Sequence, residues 1–218
     1  MNPRQLFTEE DLENIRKATG RAENRTSGEI VPVIVGVCGD YEGAVWKVST
    51  MGALLAALIA GVVHGLGGFW SGFAALWVTL PTVTGAAIGY LLVQLWPGLR
   101  RAMISADSLE DNVRDRARQA FLEEEVFATR ERTGILIFLA LFEKRVVVLG
   151  DEGINRAVTQ EAWDEVVAHL VDGIREGRPG PALVEAIGEC GRLLENHGVE
   201  IRPDDTDELA DGLRMEER

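Results

Sequence analysis

The middle of this 218-residue sequence lacks charged side chains altogether. No Asp, Glu, Lys or Arg occurs in the 52 residues from Val48 to Leu99, although the whole chain contains 22 basic and 35 acidic residues and carries a net charge of −13. An uncharged window of this length argues against a plain soluble globule and against a disordered chain. The acidic excess argues against a nucleic-acid partner bound through bulk positive charge.

Cysteines and catalytic motifs are also scarce. The two cysteines, Cys38 and Cys190, are too few for a disulfide framework and indicate a reducing compartment, where each is expected to be a small core residue. The sequence contains no HExxH, GxSxG, P-loop, GxGxxG or CxxC pattern. None of the enzyme classes that these motifs mark is therefore indicated.

The uncharged window has the length of two membrane-spanning helices. About 20 apolar residues cross the ~30 Å hydrocarbon core of a bilayer. The glycines of Gly65–Gly68 divide the window, which predicts spans at 48–66 and 70–96 joined by a tight turn. Pro81 falls inside the second span, where a kink is tolerated if neighbouring groups satisfy the freed carbonyl.

The charges that flank the window predict the orientation of this hairpin. Lys47 precedes the first span, Arg100 and Arg101 follow the second, and the turn is uncharged. Positively charged flanks stay in the cytoplasm. We therefore expect a multi-pass protein of the bacterial inner membrane with both termini cytoplasmic, and the lipid bilayer as its first partner.

Small residues recur every four positions in both spans. Such ridges let membrane helices approach closely, either within the hairpin or between two copies of the chain. Both interpretations stay open, and the second predicts a homodimer. The residues are Ala53, Ala57, Gly61 and Gly65 in the first span, and Gly85 and Gly89 in the second.

The polar segments on either side alternate between helix and strand patterns. Residues 1–45 and 101–198 are expected to form one α/β domain, interrupted by the hairpin at 46–100 and followed by an acidic disordered tail at 199–218. The pattern predicts a helix that starts at Thr8–Asp11 and ends near Arg25, strand Ile30–Val37, a helix over 105–129, strands Ile135–Phe142 and Arg145–Leu149 joined by a Glu143–Lys144 turn, and helices over 159–176 and 182–197.

One loop has the composition of a metal site. Asp151, Glu152 and Asn155 follow a predicted strand, and folding can bring Asp164 or Glu29 nearby. Oxygen ligands of this kind suit Ca²⁺ or Mg²⁺. The alternative is an ordinary turn whose acidic residues cap the next helix.

His64 is the ionisable residue of the first span. An ionisable group in a span is a functional hypothesis by default, and imidazole is a common axial ligand of haem. Two copies of His64 in a homodimer could hold haem b. The alternative is a histidine that reaches interfacial water beside the turn.

Two blocks of sequence resemble the TPM-domain family, which is named from a thylakoid-lumen protein, a photosystem II repair protein and an acetylcholine-receptor auxiliary protein. The first is Thr26–Ile30, which leads into a strand. The second is Arg132–Ile154, RTGILIFLALFEKRVVVLGDEGI, followed by Trp163 and by the helix ending Arg175–Gly177. The chain resembles the membrane-inserted bacterial variety of the family.

The resemblance implies a small mixed sheet sandwiched by helices, with the transmembrane hairpin inserted. It also implies weak acid-phosphatase activity and divalent-metal binding for some members, and partner binding for others. We therefore expect a membrane-anchored module that binds a ligand or a membrane protein at the cytoplasmic face. The alternatives are a slow metal-dependent acid phosphatase, in which Asp151 and a second carboxylate hold the metal, and a haem protein that uses His64.

Overall fold

A computed structural model describes residues 3–67, 74–156, 158–197, 209 and 212–217 of the chain. The strands are β1 Ile30–Val35, β2 Ile135–Ala140, β3 Arg145–Gly150 and β4 Arg214–Glu216. The helices are α1 Glu9–Glu23, α2 Glu42–Gly65, α3 Ala74–Leu95, α4 Pro97–Ala102, α5 Ala106–Glu123, α6 Glu152–Asn155, α7 Gln160–Arg175 and α8 Pro179–Asn196. They divide between two compact units, residues 1–39 with 110–218, and residues 40–109.

The first unit is built on a four-stranded mixed sheet with the strand order β3-β2-β1-β4. Strand β1 runs parallel to both β2 and β4, whereas β2 and β3 form an antiparallel hairpin. Helices α1, α7 and α8 cover one face, and α5 covers the other. The predicted α/β fold with a mixed sheet between helices is confirmed.

Both faces of the two central strands are buried, which explains why their sequences are apolar throughout. Ile30 and Ile34 of β1 pack toward α1, α7 and α8, whereas Val31 and Val33 pack toward α5. Complete burial of such a side chain stabilises the fold by about 1.5–3 kcal/mol. The alternation therefore fixes the register of β1 between two cores.

The outer edge of β1 is protected along its length. In a parallel strand, the main-chain groups of alternate residues bond to opposite neighbouring strands. Gly36 N–H donates to the Glu216 carbonyl of β4 at 2.9 Å. The main-chain groups of Ile30 and Pro32 therefore also face the side on which β4 lies. Strand β4 pairs only with Val33–Val35. Beyond its reach, Ile30 N–H donates to the Glu23 carboxylate at 2.9 Å, and Pro32 has no N–H to expose.

The tail contributes β4, so the expectation of disorder is wrong for residues 214–216. Each of its two charged residues has a partner on α5 or just beyond it. Arg214 bonds Glu124 at 2.9 Å, and Glu216 pairs with Arg116. These ion pairs allow a short, charged segment to complete the sheet. Residues 199–208 of the predicted tail lie outside the described residues.

Several helices and strands are shorter than the sequence predicts. Strand β1 ends at Val35, and α5 ends at Glu123, close to Glu125, which has a left-handed backbone with φ of 53°. The β2–β3 turn occupies residues 141–144, not Glu143–Lys144 alone, and Lys144 has φ of 53°. Glu125 and Lys144 thus adopt turn conformations that the apolar pattern alone does not indicate.

The second unit contains the two apolar helices. Glu42–Gly65 and Ala75–Leu95 are long and apolar enough to cross a membrane, and their large apolar side chains are mostly exposed, as in Leu54 at 65% and Leu95 at 72%. The predicted spans, 48–66 and 70–96, correspond to α2 and α3. Gly68 and the start of the second predicted span lie outside the described residues.

Glycines set the contact between α2 and α3. A Cβ on Gly85 would overlap the Gly52 carbonyl and the Ala56 methyl group, and one on Gly89 would lie 2.6 Å from the Val48 carbonyl oxygen. The predicted Gly85–Gly89 motif therefore packs within the hairpin. A Cβ on Gly61 or Gly65 would meet no atom within 4 Å among the described residues.

Candidate functional site

Strand β3 leaves an open edge in the sheet. Asp151 N–H donates to the Gly134 carbonyl at 2.9 Å, which fixes the alternation of the antiparallel ladder. The N–H and C=O groups of Val146, Val148 and Gly150 therefore point away from β2. Within the ranges described, no strand lies beyond β3. The Gly150 carbonyl accepts a hydrogen bond from Asn155, which leaves Val146 and Val148 at the open part of the edge.

A groove of about 330 Å³ follows this edge between α5 and α7. Val113 and Arg114 of α5 form one wall, and Trp163 and Val167 of α7 form the other. Residues 146–148 of β3 form the floor. Val113 and Trp163 are nearly completely buried, at 1% and 3% exposure, so the walls are held firmly by the two cores.

Polar residues surround the apolar floor of the groove. On α5, Arg114 pairs with Glu110 at 3.0 Å, and on α7 the Gln160 amide donates to Asp164 at 2.9 Å. Arg145 is exposed at the start of β3 and makes no ion pair with the described residues. A strand edge, an apolar floor and a polar rim are the features by which proteins bind an extended chain through strand addition.

The predicted metal loop is assembled around an arginine. The Asp151 carboxylate, 4% exposed, forms an ion pair with Arg132, at 2.6 Å from Nε and 3.0 Å from Nη2. The same carboxylate accepts the Glu152 N–H at 2.7 Å and so caps α6. Gly153 N–H donates to the Arg132 carbonyl at 2.8 Å, and no side chain would fit at Gly153. Asp151 thus joins the two ends of the β2–β3 hairpin.

The other predicted ligands do not gather around Asp151. Glu152 pairs with Arg156, the Asn155 amide bonds the Gly150 carbonyl, and Asp164 lines the β3 groove. In the parts of the chain that the structure describes, no three His, Cys, Asp or Glu side chains form a group that could hold a metal ion. The Ca²⁺ or Mg²⁺ site stays a prediction.

His64 lies in the last turn of α2 and is exposed. Its carbonyl accepts the Gly67 N–H at 3.0 Å, so the residue belongs to the end of the helix and not to its centre. This position agrees with the interfacial alternative. Haem binding stays a prediction.

A buried acidic group lies at the carboxyl end of β2, where the sequence predicts only a turn. Glu143 is completely buried, and its Oε1 accepts the Cys38 N–H at 2.9 Å. Burial, followed by the charge of Glu143, raises the pKa of the Cys38 thiol far above its usual range. The glutamate between Phe142 and Lys144 has no local signal of burial, because its partner lies about a hundred residues earlier.

Comparison with known proteins agrees with this architecture. Residues 98–193 match the family model of the TPM domain. The chain carries a TPM domain. The resemblance of the Arg132–Ile154 block to that family is thereby confirmed, since the whole block lies within the matched residues.

The TPM fold of this chain is also similar to a solved structure. BA42 protein from the psychrophilic bacterium Bizionia argentinensis, solved by NMR, superposes with a TM-score of 0.57, and the match covers 96% of this chain and 94% of that chain. The sequences are 20% identical, so the likeness shows the fold alone. No curated protein is significantly similar to the chain.

Proposed function

We propose that this chain is a membrane-anchored binding module whose TPM domain takes up an extended polypeptide segment along the open edge of β3. The open edge is the observation that carries the proposal. The outer edge of β1 is closed by β4, Glu23 and Pro32, whereas Val146 and Val148 keep main-chain donors and acceptors directed away from the sheet. An unprotected strand edge is a template for another strand.

The groove defines the chemistry of the bound segment. Its backbone would pair with Val146 and Val148, and its side chains would alternate between the Val113 wall and the Trp163–Val167 wall. A segment with apolar residues at alternating positions satisfies both walls. An acidic residue near its end would pair with the exposed Arg145.

The two apolar helices supply the anchor. Lys47 Nζ donates to the Met103 carbonyl at 3.3 Å, and Arg100 bonds the Asp40 carbonyl, so both flanking cations lie at the same end of the hairpin. A hairpin with cations at one end is expected to insert with that end in the cytoplasm. The bound segment would then belong to a protein at the cytoplasmic face of the inner membrane.

A random peptide library displayed on phage tests the groove directly, with the full chain in detergent as the target. Val167→Asp places a charge in the groove, and Ala168→Asp places the same charge on the exposed neighbour. Val148→Pro removes a donor from the open edge without removing a bond to β2. We expect selected peptides to lose at least about tenfold in affinity with V167D and V148P, roughly 1.4 kcal/mol, and to bind A168D normally.

Amide exchange gives a second readout of the same complex. A peptide that adds to the sheet should slow the exchange of the Val146 and Val148 amides. Failure to select any peptide, or peptides that bind V167D as well as the unchanged chain, would contradict strand addition at this edge.

A further inference from the structure

A second cavity lies between α1 and α8, and it shares no lining residue with the β3 groove. Its volume is about 210 Å³, and its floor consists of small residues on both helices. Gly191 allows the close approach, because a Cβ there would lie 2.9 Å from the Ala22 methyl group. Three arginines line the cavity, namely Arg21 and Arg25 of α1 and its extension, and Arg192 of α8.

These arginines are poorly neutralised by the protein itself. Arg21 Nε donates to the Lys17 carbonyl at 3.0 Å, and the Arg25 side chain has no hydrogen bond or ion pair with any described residue. The carboxylate that pairs with Arg192 is Glu189, at 3.9 Å, and its Oε1 lies closer to His169 Nδ1, at 3.0 Å. The chain as a whole carries a net charge of −13, yet three arginines line this one cavity.

Two features of the cavity lower the stability of the helices that build it. Arg21 lies in the last turn of α1 and Arg25 lies just beyond its end, so two like charges repel each other at this end of the helix. Gly188 stands in the interior of α8, where glycine is less favourable than alanine. A Cβ on Gly188 would meet only Arg192 Nη1, at 3.7 Å, so packing does not require the glycine. The missing side chain of Gly188 leaves space beside the three arginines.

We propose that the α1–α8 cavity binds the phosphate group of a ligand. Guanidinium groups bind phosphate oxygens through charge-assisted, bidentate hydrogen bonds. Arg21, Arg25 and Arg192 supply these donors from two helices, and Gly188 leaves room for the oxygens. The phosphate group belongs either to a soluble phosphorylated compound or to an anionic lipid headgroup, which share this chemistry.

Calorimetric titration of the detergent-solubilised full chain with inorganic phosphate, at constant ionic strength, tests the site. We expect saturable binding that weakens about a hundredfold in the Arg21→Gln/Arg25→Gln double variant, which loses two charge-assisted contacts. Arg118→Gln is the matched control, because Arg118 pairs with Asp115 on the exposed surface of α5. Its affinity for phosphate should be unchanged.

A second variant separates shape from charge. Gly188→Leu fills the cavity, keeps all three arginines and improves the helix propensity of α8. It should abolish phosphate binding in a chain that unfolds at no lower temperature. Absence of saturable phosphate binding, or equal binding by the unchanged chain and both cavity variants, overturns the proposal.

Reconstitution in lipid nanodiscs distinguishes the two sources of phosphate. If a headgroup occupies the cavity, discs that contain phosphatidic acid should suppress phosphate binding relative to discs of phosphatidylcholine alone. If the ligand is soluble, binding should be equal in both discs. Either result supports the site, and neither depends on the β3 edge, so Val167→Asp should leave phosphate binding intact.

Discussion

Glu143 occupies an environment that its sequence position does not indicate. It lies in the hairpin turn between β2 and β3, yet it is completely buried and accepts a hydrogen bond from the backbone of Cys38. A carboxylate removed from water is stable only when it is paired or hydrogen-bonded. The Cys38–Glu143 contact therefore joins the loop after β1 to the β2–β3 turn.

The Cys38 thiol should react slowly with iodoacetamide at mildly alkaline pH, because burial and the charge of Glu143 raise its pKa. Glu143→Gln removes that charge and should increase the alkylation rate by about tenfold, as for one pKa unit. Cys190 is the internal control, since burial raises its pKa to about 12 and Glu143 is not among the causes. Mass spectrometry assigns each product.

Two outcomes would contradict this account of Cys38. An unchanged Cys38 alkylation rate in E143Q would show that the charge has no effect, and faster alkylation of both cysteines would show general loosening of the fold.

The raised pKa of Cys38 also affects stability. The unfolded chain loses a thiol proton near pH 9, whereas folded Cys38 retains it. Stability should therefore fall as the pH rises above 9, and Cys38→Ala should reduce this fall.

Gly153 is required beside the Arg132–Asp151 ion pair that joins the two ends of the β2–β3 hairpin. A methyl group there would overlap the carbonyl oxygens of Glu131 and Arg132, so Gly153→Ala should lower the free energy of unfolding by about 1–3 kcal/mol. Gly188→Ala is the control, because its Cβ meets only Arg192 at 3.7 Å, and it should raise stability by up to ~1 kcal/mol. Urea denaturation measures both, and equal effects would rule out the steric argument.

Helices and strands that have a local sequence signal are predicted well from the sequence. The first long helix starts at Thr8–Asp11 as expected, where the two residues form a capping box with Asp11 N–H donating to Thr8 Oγ1 at 3.1 Å. The apolar run of Ile135–Phe142 gives β2, because a strand that is buried on both faces needs no polar alternation. These features depend on residues close together in the chain.

The candidate site could not be predicted in the same way. Val113 and Val167 face each other across the β3 groove but stand more than fifty residues apart in the sequence. The three residues of β4 lack the length and the apolar pattern of a strand, and their pairing with Arg116 and Glu124 depends on the folded α5. Only tertiary structure brings these residues together.

The close contact between α2 and α3 predicts how glycine substitutions change the stability of the helical hairpin. Gly85→Ala would place a methyl group against Gly52 and Ala56, and should destabilise the hairpin by about 1–3 kcal/mol. Gly61 lies in α2, and a Cβ there would meet no described atom within 4 Å. Gly61→Ala should therefore leave the stability of the hairpin unchanged. Thermal unfolding in detergent compares the two variants. If Gly61→Ala lowered the unfolding temperature more than Gly85→Ala, the contact between the two helices would not lie at Gly85.

For the whole molecule, the flanking cations predict which side of the membrane each part occupies. Leu66→Cys lies at the end of α2, and Glu176→Cys lies at the end of α7, both on exposed residues. A membrane-impermeant maleimide should label L66C in intact spheroplasts and E176C only after permeabilisation. The unchanged chain is the control, because it reports any background labelling of the half-buried Cys38 and the buried Cys190. The reverse labelling pattern would contradict a cytoplasmic domain.

The parallel pairing of Ile30 with Ile135 also dictates an order of assembly. The ribosome completes β1 about a hundred residues before its partner exists, and at 5–20 residues per second this interval is on the order of 5–20 s. Both apolar helices leave the ribosome during that time. In the proposed membrane-anchored protein, insertion of these helices would therefore precede closure of the sheet, and α1, which is synthesised earlier, is available to cover the nascent β1 strand meanwhile.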